Sequence, residues 1–232
     1  IHFTCTKRSK KFLLKMGENK KNVFLTGCPS IDLIKSDKLK IDKSFNERNS
    51  FVGNIINFKK PYLTFLFHPV TTEFKKNKEY MSNLIKIIEH FSNKYQTVIL
   101  WPNVDSGTDF ISKKIRIFLN KSKKKTIAAY KNFSPEDYLK LINNTLCLVG
   151  NSSSGIRESS ILGLPVVNIG NRQTGREKGE NVIDADNSHM SILKAINKQL
   201  KKKRYKKIKI YGDGKAGKRI LNIILKKKLN IH

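Results

Sequence analysis

From residue 61 onward, continuous apolar runs alternate with stretches in which apolar residues recur at helical spacing. The continuous runs predict buried strands at 62–67, 97–101, 126–130, 146–150 and 165–169. The other stretches predict a helix carrying Tyr80, Leu84, Ile88 and Phe91, and further helices near 110–119, near 135–143 and shortly after Gly155. Because right-handed crossovers between such strands give a parallel sheet, this order predicts an α/β fold, a parallel sheet with helices on both faces.

The first 55 residues follow a different pattern. They predict a strand at 1–5, a helix at 7–16 and a strand at 23–26, followed by a Lys- and Asn-rich stretch at 35–49 with few apolar positions. We interpret residues 1–55 as the tail of a preceding α/β domain plus its linker, and residues 56–232 as a second domain that ends in a helix near 216–228. Since the chain begins inside a strand-like run, we expect upstream sequence to be missing.

The chain is strongly basic, with a formal net charge of +29 and a pI near 10.1. Such a charge points to nucleic acid or an anionic membrane surface. Only eight of the 47 basic residues are arginine, however, and nucleic-acid readers depend on arginine for bidentate contacts. We therefore interpret the charge as a lysine-coated, solvated surface and predict no nucleic acid and no membrane partner. A nucleic-acid-binding module remains the alternative from a different class.

Cys5, Cys28 and Cys147 lie far apart in apolar runs. Their spacing fits neither a metal site nor a disulfide framework, so we predict buried, reduced cysteines and no bound metal. No apolar run reaches the ~18 residues of a membrane span, and no signal-peptide pattern opens the chain. We expect a cytoplasmic protein.

Polar loops follow four of the predicted strands, at 68–73, 102–107, 150–158 and 170–176. In open α/β sheets ligands bind beyond the carboxyl ends of the strands, so these loops are expected to converge on one edge. The loop at 150–158 carries the strongest signal, because a strand ends in glycine and three serines and a second glycine precede a helix. Helix N-termini favour anions, and the hydroxyls of Ser152 and Ser153 can donate to phosphate oxygens.

Glu158 falls in the first turn of that helix, where a carboxylate can accept hydrogen bonds from vicinal hydroxyls such as those of a ribose. A serine-rich helix cap with no ligand explains the same residues equally well. The loop is not a Walker P-loop, because no Gly-Lys-Ser/Thr follows at the required spacing.

The loops after the first two of these strands add further candidates. His68 can donate to a diphosphate or act on a leaving group, or it can be an exposed histidine in a turn fixed by Pro69. Asn103 and Asp105 fit a ligand loop or an Asx-turn.

Two of the eight arginines, Arg172 and Arg176, fall in the last of the polar loops. Their concentration in one glycine-flanked segment favours an anion site. The alternative is a structural ion pair with Glu177 or Glu180.

Taken together, the runs at 68–73, 101–107, 150–158 and 168–185, with Tyr-Gly-Asp-Gly at 211–214, resemble the second half of the hydrolysing UDP-N-acetylglucosamine 2-epimerases of sialic and legionaminic acid biosynthesis. The resemblance covers essentially the whole chain, in order. His-Pro-Val-Thr-Thr at 68–72 favours the hydrolysing branch, since non-hydrolysing relatives usually have His-Arg-Arg-Glu-Asn there.

The resemblance implies a two-domain GT-B architecture, with residues 56–232 as its nucleotide-binding Rossmann-like domain and the nucleotide in the cleft between domains. It also implies roles for individual residues. For the nucleotide, it implies diphosphate binding by Ser152 and Ser153, ribose binding by Glu158 and uracil stacking on Phe133. His68 and Arg172 are expected to face the diphosphate, and Asn103 and Asp105 to belong to a loop near the sugar and phosphates. His2 is expected to be catalytic, since it matches the second histidine of a Ser-His-x-His motif. His68 is the other catalytic candidate.

The implied reaction eliminates UDP across C1–C2 of the sugar and adds water to release N-acetylmannosamine, with no cofactor. Family members carry the acid/base carboxylates in the N-terminal domain, so this chain is expected to be the UDP-binding part of a truncated enzyme, inactive alone. The implied ligand is UDP-N-acetylglucosamine or a related UDP-diacetamido sugar, and the full-length protein is expected to form a homo-oligomer. A GT-B glycosyltransferase that holds its UDP-sugar in the same way is the alternative among enzymes.

Overall fold

Two β-sheets carry the fold in this computed structural model, which describes residues 1–34, 38–102 and 107–227. Within these ranges the strands are β1 (His2–Thr4), β2 (Val23–Leu25), β3 (Phe51–Gly53), β4 (Tyr62–Leu66), β5 (Gln96–Leu100), β6 (Ile127–Tyr130), β7 (Leu148–Gly150), β8 (Val166–Ile169) and β9 (Val182–Ala185). The helices are α1 (Lys7–Lys15), α2 (Pro29–Asp32), α3 (Phe45–Arg48), α4 (Asn77–Phe91), α5 (Thr108–Lys121), α6 (Pro135–Asn144), α7 (Arg157–Leu162), α8 (His189–Leu200) and α9 (Ala216–Lys226). No helix in the described ranges is both long enough and apolar enough to cross a bilayer.

The larger sheet reverses its strand order at its centre. Its seven strands run β3-β6-β5-β4-β7-β8-β9, all parallel except β3, which pairs antiparallel with β6. The chain proceeds from β4 through β5 to β6 on one side, and from β7 through β8 to β9 on the other. The boundary between β4 and β7 is therefore a topological switch point, the place where parallel sheets of this kind bind ligands.

Each face of the larger sheet has its own apolar core. Leu63 and Phe65 of β4 pack with α4, α5 and α8 on one face. Tyr62 and Leu66, at the alternate positions, pack with α6 and α7 on the other. The predicted α/β fold, a parallel sheet with helices on both faces, is confirmed.

No sequence pattern predicted β3, β9 or α8. Strand β3 comes from the segment interpreted as a linker, and it has three residues, of which Val52 is exposed at the sheet edge. Phe45, in the Lys- and Asn-rich stretch, is 1% exposed and packs against Phe58. Isolated apolar residues of this kind leave no periodic signal, so their burial could not be predicted. The domain division at residue 55 stays a prediction.

The smaller sheet consists of β1 and β2, paired in parallel. Thr6 caps α1 by accepting a hydrogen bond from the Ser9 N–H at 3.1 Å. Asp32, at the end of α2, caps α9 by accepting from the N–H groups of Ala216 at 2.9 Å and Gly217 at 2.7 Å. The last described helix therefore returns to the first part of the chain.

Candidate functional site

The switch point brings β4 and β7 into unusually close contact. Gly150, the last residue of β7, has φ +147°, and a Cβ there would lie 1.8 Å from the carbonyl oxygen of Leu66. Only glycine fits this approach. The glycine that ends the predicted strand therefore serves close backbone packing at the site.

Asn151, fully buried, ties three loops together. Its Oδ1 accepts the His68 N–H at 2.7 Å, and its Nδ2 donates to the His68 carbonyl at 2.9 Å. The Asn151 carbonyl accepts from Arg172 Nη1 at 3.2 Å and from Gln173 Nε2 at 2.8 Å. Sequence reasoning missed this residue. The available signal was an amide directly after the glycine that ends a central strand.

The serine loop forms a 3-10 turn, Ser153–Gly155, before α7. The hydroxyls of Ser152 and Ser154 lie 3.0 Å apart, and the Tyr138 hydroxyl makes a short hydrogen bond to Ser154. Arg157 Nη2 donates to Ser153 Oγ at 3.2 Å. Both candidate phosphate-binding serines are therefore held by neighbouring donors or hydroxyls and remain partly exposed to the cavity beside them.

Glu158 is 6% exposed and carries one unsatisfied oxygen. Its Oε1 lies 3.6 Å from Arg157 Nη2, whereas its buried Oε2 has no hydrogen-bond partner among the described residues. A buried carboxylate oxygen without a donor is unfavourable. Glu158 also lines the cavity beside the serine loop.

A cavity of about 520 Å³ collects five of the sequence-predicted residues, namely His68, Phe133, Ser152, Ser153 and Glu158. Trp101, Tyr138 and Arg157 also line it, and none of these three was predicted as a site residue. His68 is 3% exposed, so the expectation of an exposed histidine in a turn is wrong. Asn103 and Asp105 lie outside the described residues.

Phe133 has a fixed place at the cavity wall. Its ring stacks on those of Tyr130 and Phe45, with centroid distances of 5.2 and 5.6 Å and interplanar angles of 28° and 29°. The next residue, Ser134, caps α6 by accepting from the Asp137 N–H at 3.1 Å. Phe133 is half-buried between these contacts and still lines the cavity.

The start of α6 is further anchored by an ion pair to the buried carboxylate of Asp137. Arg48 Nε donates to Asp137 Oδ2 at 2.6 Å and Arg48 Nη2 to Asp137 Oδ1 at 2.9 Å. Hydrogen bonds from Arg48, then from Lys140 and Asn49, hold the pKa of the Asp137 carboxyl well below its usual range. This pair fixes the helix that follows Phe133 to the segment containing α3.

Two predicted residues lie away from this cavity. Arg172 lines a neighbouring cavity of about 600 Å³, together with residues 69–72, Asn171 and Thr174. His2 lies on β1, with its Nε2 2.9 Å from Glu18 Oε2, and lines neither cavity. The catalytic role of His2 stays a prediction.

Cys28 lies behind the serine loop. Its sulfur is 3.8 Å from Arg157 Nη1 and 3.1 Å from Ser30 Oγ. A hydrogen bond from the Cys5 thiol, followed by Ser30 and the charge of Arg157, lowers the pKa of the Cys28 thiol to about 5. The three cysteines are free, and Cys28 and Cys147 are buried as the sequence predicted, whereas Cys5 is only half-buried. The low pKa of the Cys28 thiol was not predicted.

Solved structures share this fold. The UDP-GlcNAc 2-epimerase from Neisseria meningitidis bound to UDP-GlcNAc superposes with a TM-score of 0.71 at 17% identity, covering 97% of this chain and 61% of that one. The Methanocaldococcus jannaschii UDP-GlcNAc 2-epimerase, in complex with UDP-GlcNAc and UDP, gives 0.69 at 21% identity, covering 97% and 60%. The chain therefore has the expected GT-B-like fold.

The sequence identifies the family. The family model for UDP-N-acetylglucosamine 2-epimerase matches residues 1–225, and the chain belongs to this family. It is 31% identical over 223 residues to a hydrolysing UDP-N,N'-diacetylbacillosamine 2-epimerase from Legionella pneumophila, covering 96% of this chain and 56% of that protein. It is 30% identical over 199 residues to a UDP-N-acetylglucosamine 2-epimerase from Neisseria meningitidis, covering 84% and 49%. The chain thus spans about half the length of these relatives and corresponds to their C-terminal half.

Proposed function

We propose that this chain is the UDP-binding part of a hydrolysing UDP-N-acetylglucosamine 2-epimerase, which converts UDP-N-acetylglucosamine and water to N-acetylmannosamine and UDP. The observation that carries the proposal is that one cavity beside the switch point combines serine hydroxyls, a carboxylate with an unsatisfied oxygen and an aromatic ring. These three groups suit the diphosphate, the ribose and the uracil of one ligand.

In this assignment the chain stabilises the leaving group. Hydroxyls of Ser152 and Ser153, with nearby positive charge, offset the charge that develops on UDP as the C1–O bond breaks. Glu158 accepts from the ribose hydroxyls, and Phe133 stacks on uracil. His68 and Arg172, in loops clamped by Asn151, face the diphosphate from the other side.

Proton transfer at the sugar needs groups that this chain does not supply in our assignment. The acid/base carboxylates come from sequence outside residues 1–232, and Asn103, Asp105 and His2 complete the sugar end of the site. Full-length protein forms a homo-oligomer and functions in the cytoplasm, a reducing compartment that suits three free cysteines. The named relatives act on UDP-N-acetylglucosamine or on a UDP-diacetamido sugar, and we propose the same two substrates here.

Calorimetry with UDP and uridine, together with an acceptor-free assay for released UDP and N-acetylmannosamine, tests this function. We expect saturable UDP binding by residues 1–232, weaker binding of uridine and no turnover. Turnover at ~1–10³ per second would show that no further carboxylates are needed. Absence of UDP binding would exclude the assignment. With the full-length protein, sugar release that depends on an added acceptor would instead identify a glycosyltransferase.

A further inference from the structure

The cavity is lined by an arginine, Arg157, that the sequence analysis did not single out. We propose that Arg157 is the positioning residue of the diphosphate site, whose guanidinium orients the Ser153 hydroxyl and the Glu158 carboxylate toward the ligand. This inference rests on the proposed function and adds to it a residue that couples the phosphate end of the site to the ribose end.

The contact with Ser153 fixes the direction of its hydroxyl. Arg157 Nη2 donates to Ser153 Oγ at 3.2 Å, so the serine oxygen acts as an acceptor there. Its own proton is then left to donate elsewhere, and the side chain is partly exposed beside the cavity. A hydroxyl that accepts from a cation is also a stronger donor to an anion, because linked hydrogen bonds polarise one another.

The same nitrogen faces Glu158. Arg157 Nη2 lies 3.6 Å from Glu158 Oε1, so the guanidinium holds one oxygen of this carboxylate. Oε2 is buried and has no partner among the described residues. One guanidinium therefore controls a proton donor for a phosphate and an acceptor for a ribose hydroxyl.

Arg157 itself is held from behind. Its Nη1 donates to Cys28 Sγ at 3.8 Å. The guanidinium is thereby fixed between the turn that follows β2 and the serine loop. Arg172 occupies a different place, since it lines the neighbouring cavity and binds the Asn151 carbonyl.

A double-mutant cycle between Arg157 and Ser153, measured by calorimetry on the 232-residue chain, tests the inference. Ser153→Ala is expected to weaken UDP binding ~10-fold in the presence of Arg157, because a donor to a charged oxygen is lost. In the Arg157→Met background the same change is expected to cost less than ~3-fold, since the serine is no longer oriented. Uridine should bind the Ser153→Ala variant as it binds the parent protein.

Arg116→Met is the matched control, because Arg116 is exposed on α5 and its loss removes one positive charge elsewhere. If Arg157→Met does not fold, as judged by its thermal transition, the cycle is repeated with Arg157→Lys, which keeps the charge but not the geometry of the guanidinium. Equal Ser153→Ala penalties in both backgrounds overturn the role of Arg157 and leave the proposed function intact. A parent protein that does not bind UDP overturns both.

Discussion

The two sheets differ in how completely their helices are packed. Beside the seven-stranded sheet, α4 buries seven of its residues, and β4 is buried throughout. Beside the two-stranded sheet, α1 buries none, and Phe12 and Met16 are 51% and 78% exposed. One part of the chain closes its own apolar core, while the other leaves apolar surface in water.

The candidate site follows the same division. Every described residue that lines the cavity beside the serine loop comes from strands, loops or helices of the seven-stranded sheet. The two-stranded sheet approaches it through Cys28, behind Arg157. We infer that nucleotide binding depends on the larger sheet. The exposed apolar surface near α1 suits contact with further protein, as the proposal of additional catalytic residues requires.

The largest expected effect compares the packing beside the two sheets directly. Phe65→Ala removes a ring that is 1% exposed between β4 and its covering helices, and should lower the free energy of unfolding by about 3–5 kcal/mol. Phe12→Ala, on exposed α1, should change it by less than ~0.5 kcal/mol. Urea unfolding of both variants measures the difference. Similar losses would show that α1 is packed as tightly as the larger core.

A second pair of variants breaks the clamp at the switch point. Asn151→Ala leaves the backbone N–H and carbonyl of His68 without their buried partner, and should destabilise the protein by roughly 2–3 kcal/mol. Asn151→Asp should be as unstable at neutral pH, because a carboxylate would face the His68 carbonyl. Protonation restores a donor, so its deficit relative to the parent should shrink as the pH falls through the carboxyl pKa. A pH-independent deficit would argue against the two hydrogen bonds.

The same residues show how far the sequence could predict this molecule. The central strands were predictable because they are buried on both faces and therefore read as continuous apolar runs. Ser152, Ser153 and Glu158 were predictable as a group because they follow one such strand. The clamp formed by Asn151 was not, because it depends on the adjacency of β4 and β7, which are separated in sequence by β5 and β6. The position of Arg157 could not be predicted for a similar reason, since its partner Cys28 is distant in the chain.

A third prediction concerns ligand binding by the larger sheet. Glu158→Gln should weaken UDP by about 1–3 kcal/mol, because a charge-assisted acceptor for the ribose hydroxyls is lost. It should weaken 2′,3′-dideoxy-UDP far less, because that ligand lacks the hydroxyls. Calorimetry on both ligands gives the coupling energy. Equal losses would make Glu158 a structural partner of Arg157. In the full-length protein KM should rise more than kcat falls, and a collapse of kcat at unchanged UDP affinity would instead make Glu158 a catalytic acid or base.

The smallest effect tests the link between the two regions. Hydrogen bonds from Cys5 and Ser30, with the charge of Arg157, lower the pKa of the Cys28 thiol to about 5. Two further groups, Ser30 and Arg157, face Cys28 and favour its thiolate, whereas its hydrogen bond with Cys5 raises the pKa of the Cys5 thiol. Ultraviolet thiolate absorbance should therefore show a transition near pH 5 that Cys28→Ser abolishes. Cys147→Ser should keep it, since Cys147 is fully buried in the larger sheet and burial raises the pKa of its thiol.

The lowered pKa of Cys28 also contributes to the pH dependence of stability. An unfolded cysteine titrates near ~8.5, so between about pH 5 and that value the unfolded state binds more protons than the folded one. The contribution of Cys28 to stability should grow with pH across this window and vanish as the pH falls through about 5. The stability difference between the parent and Cys28→Ser should follow this course. A difference that is constant with pH would mean that Cys28 contacts Arg157 as a neutral thiol, and the two regions would then be joined by packing alone.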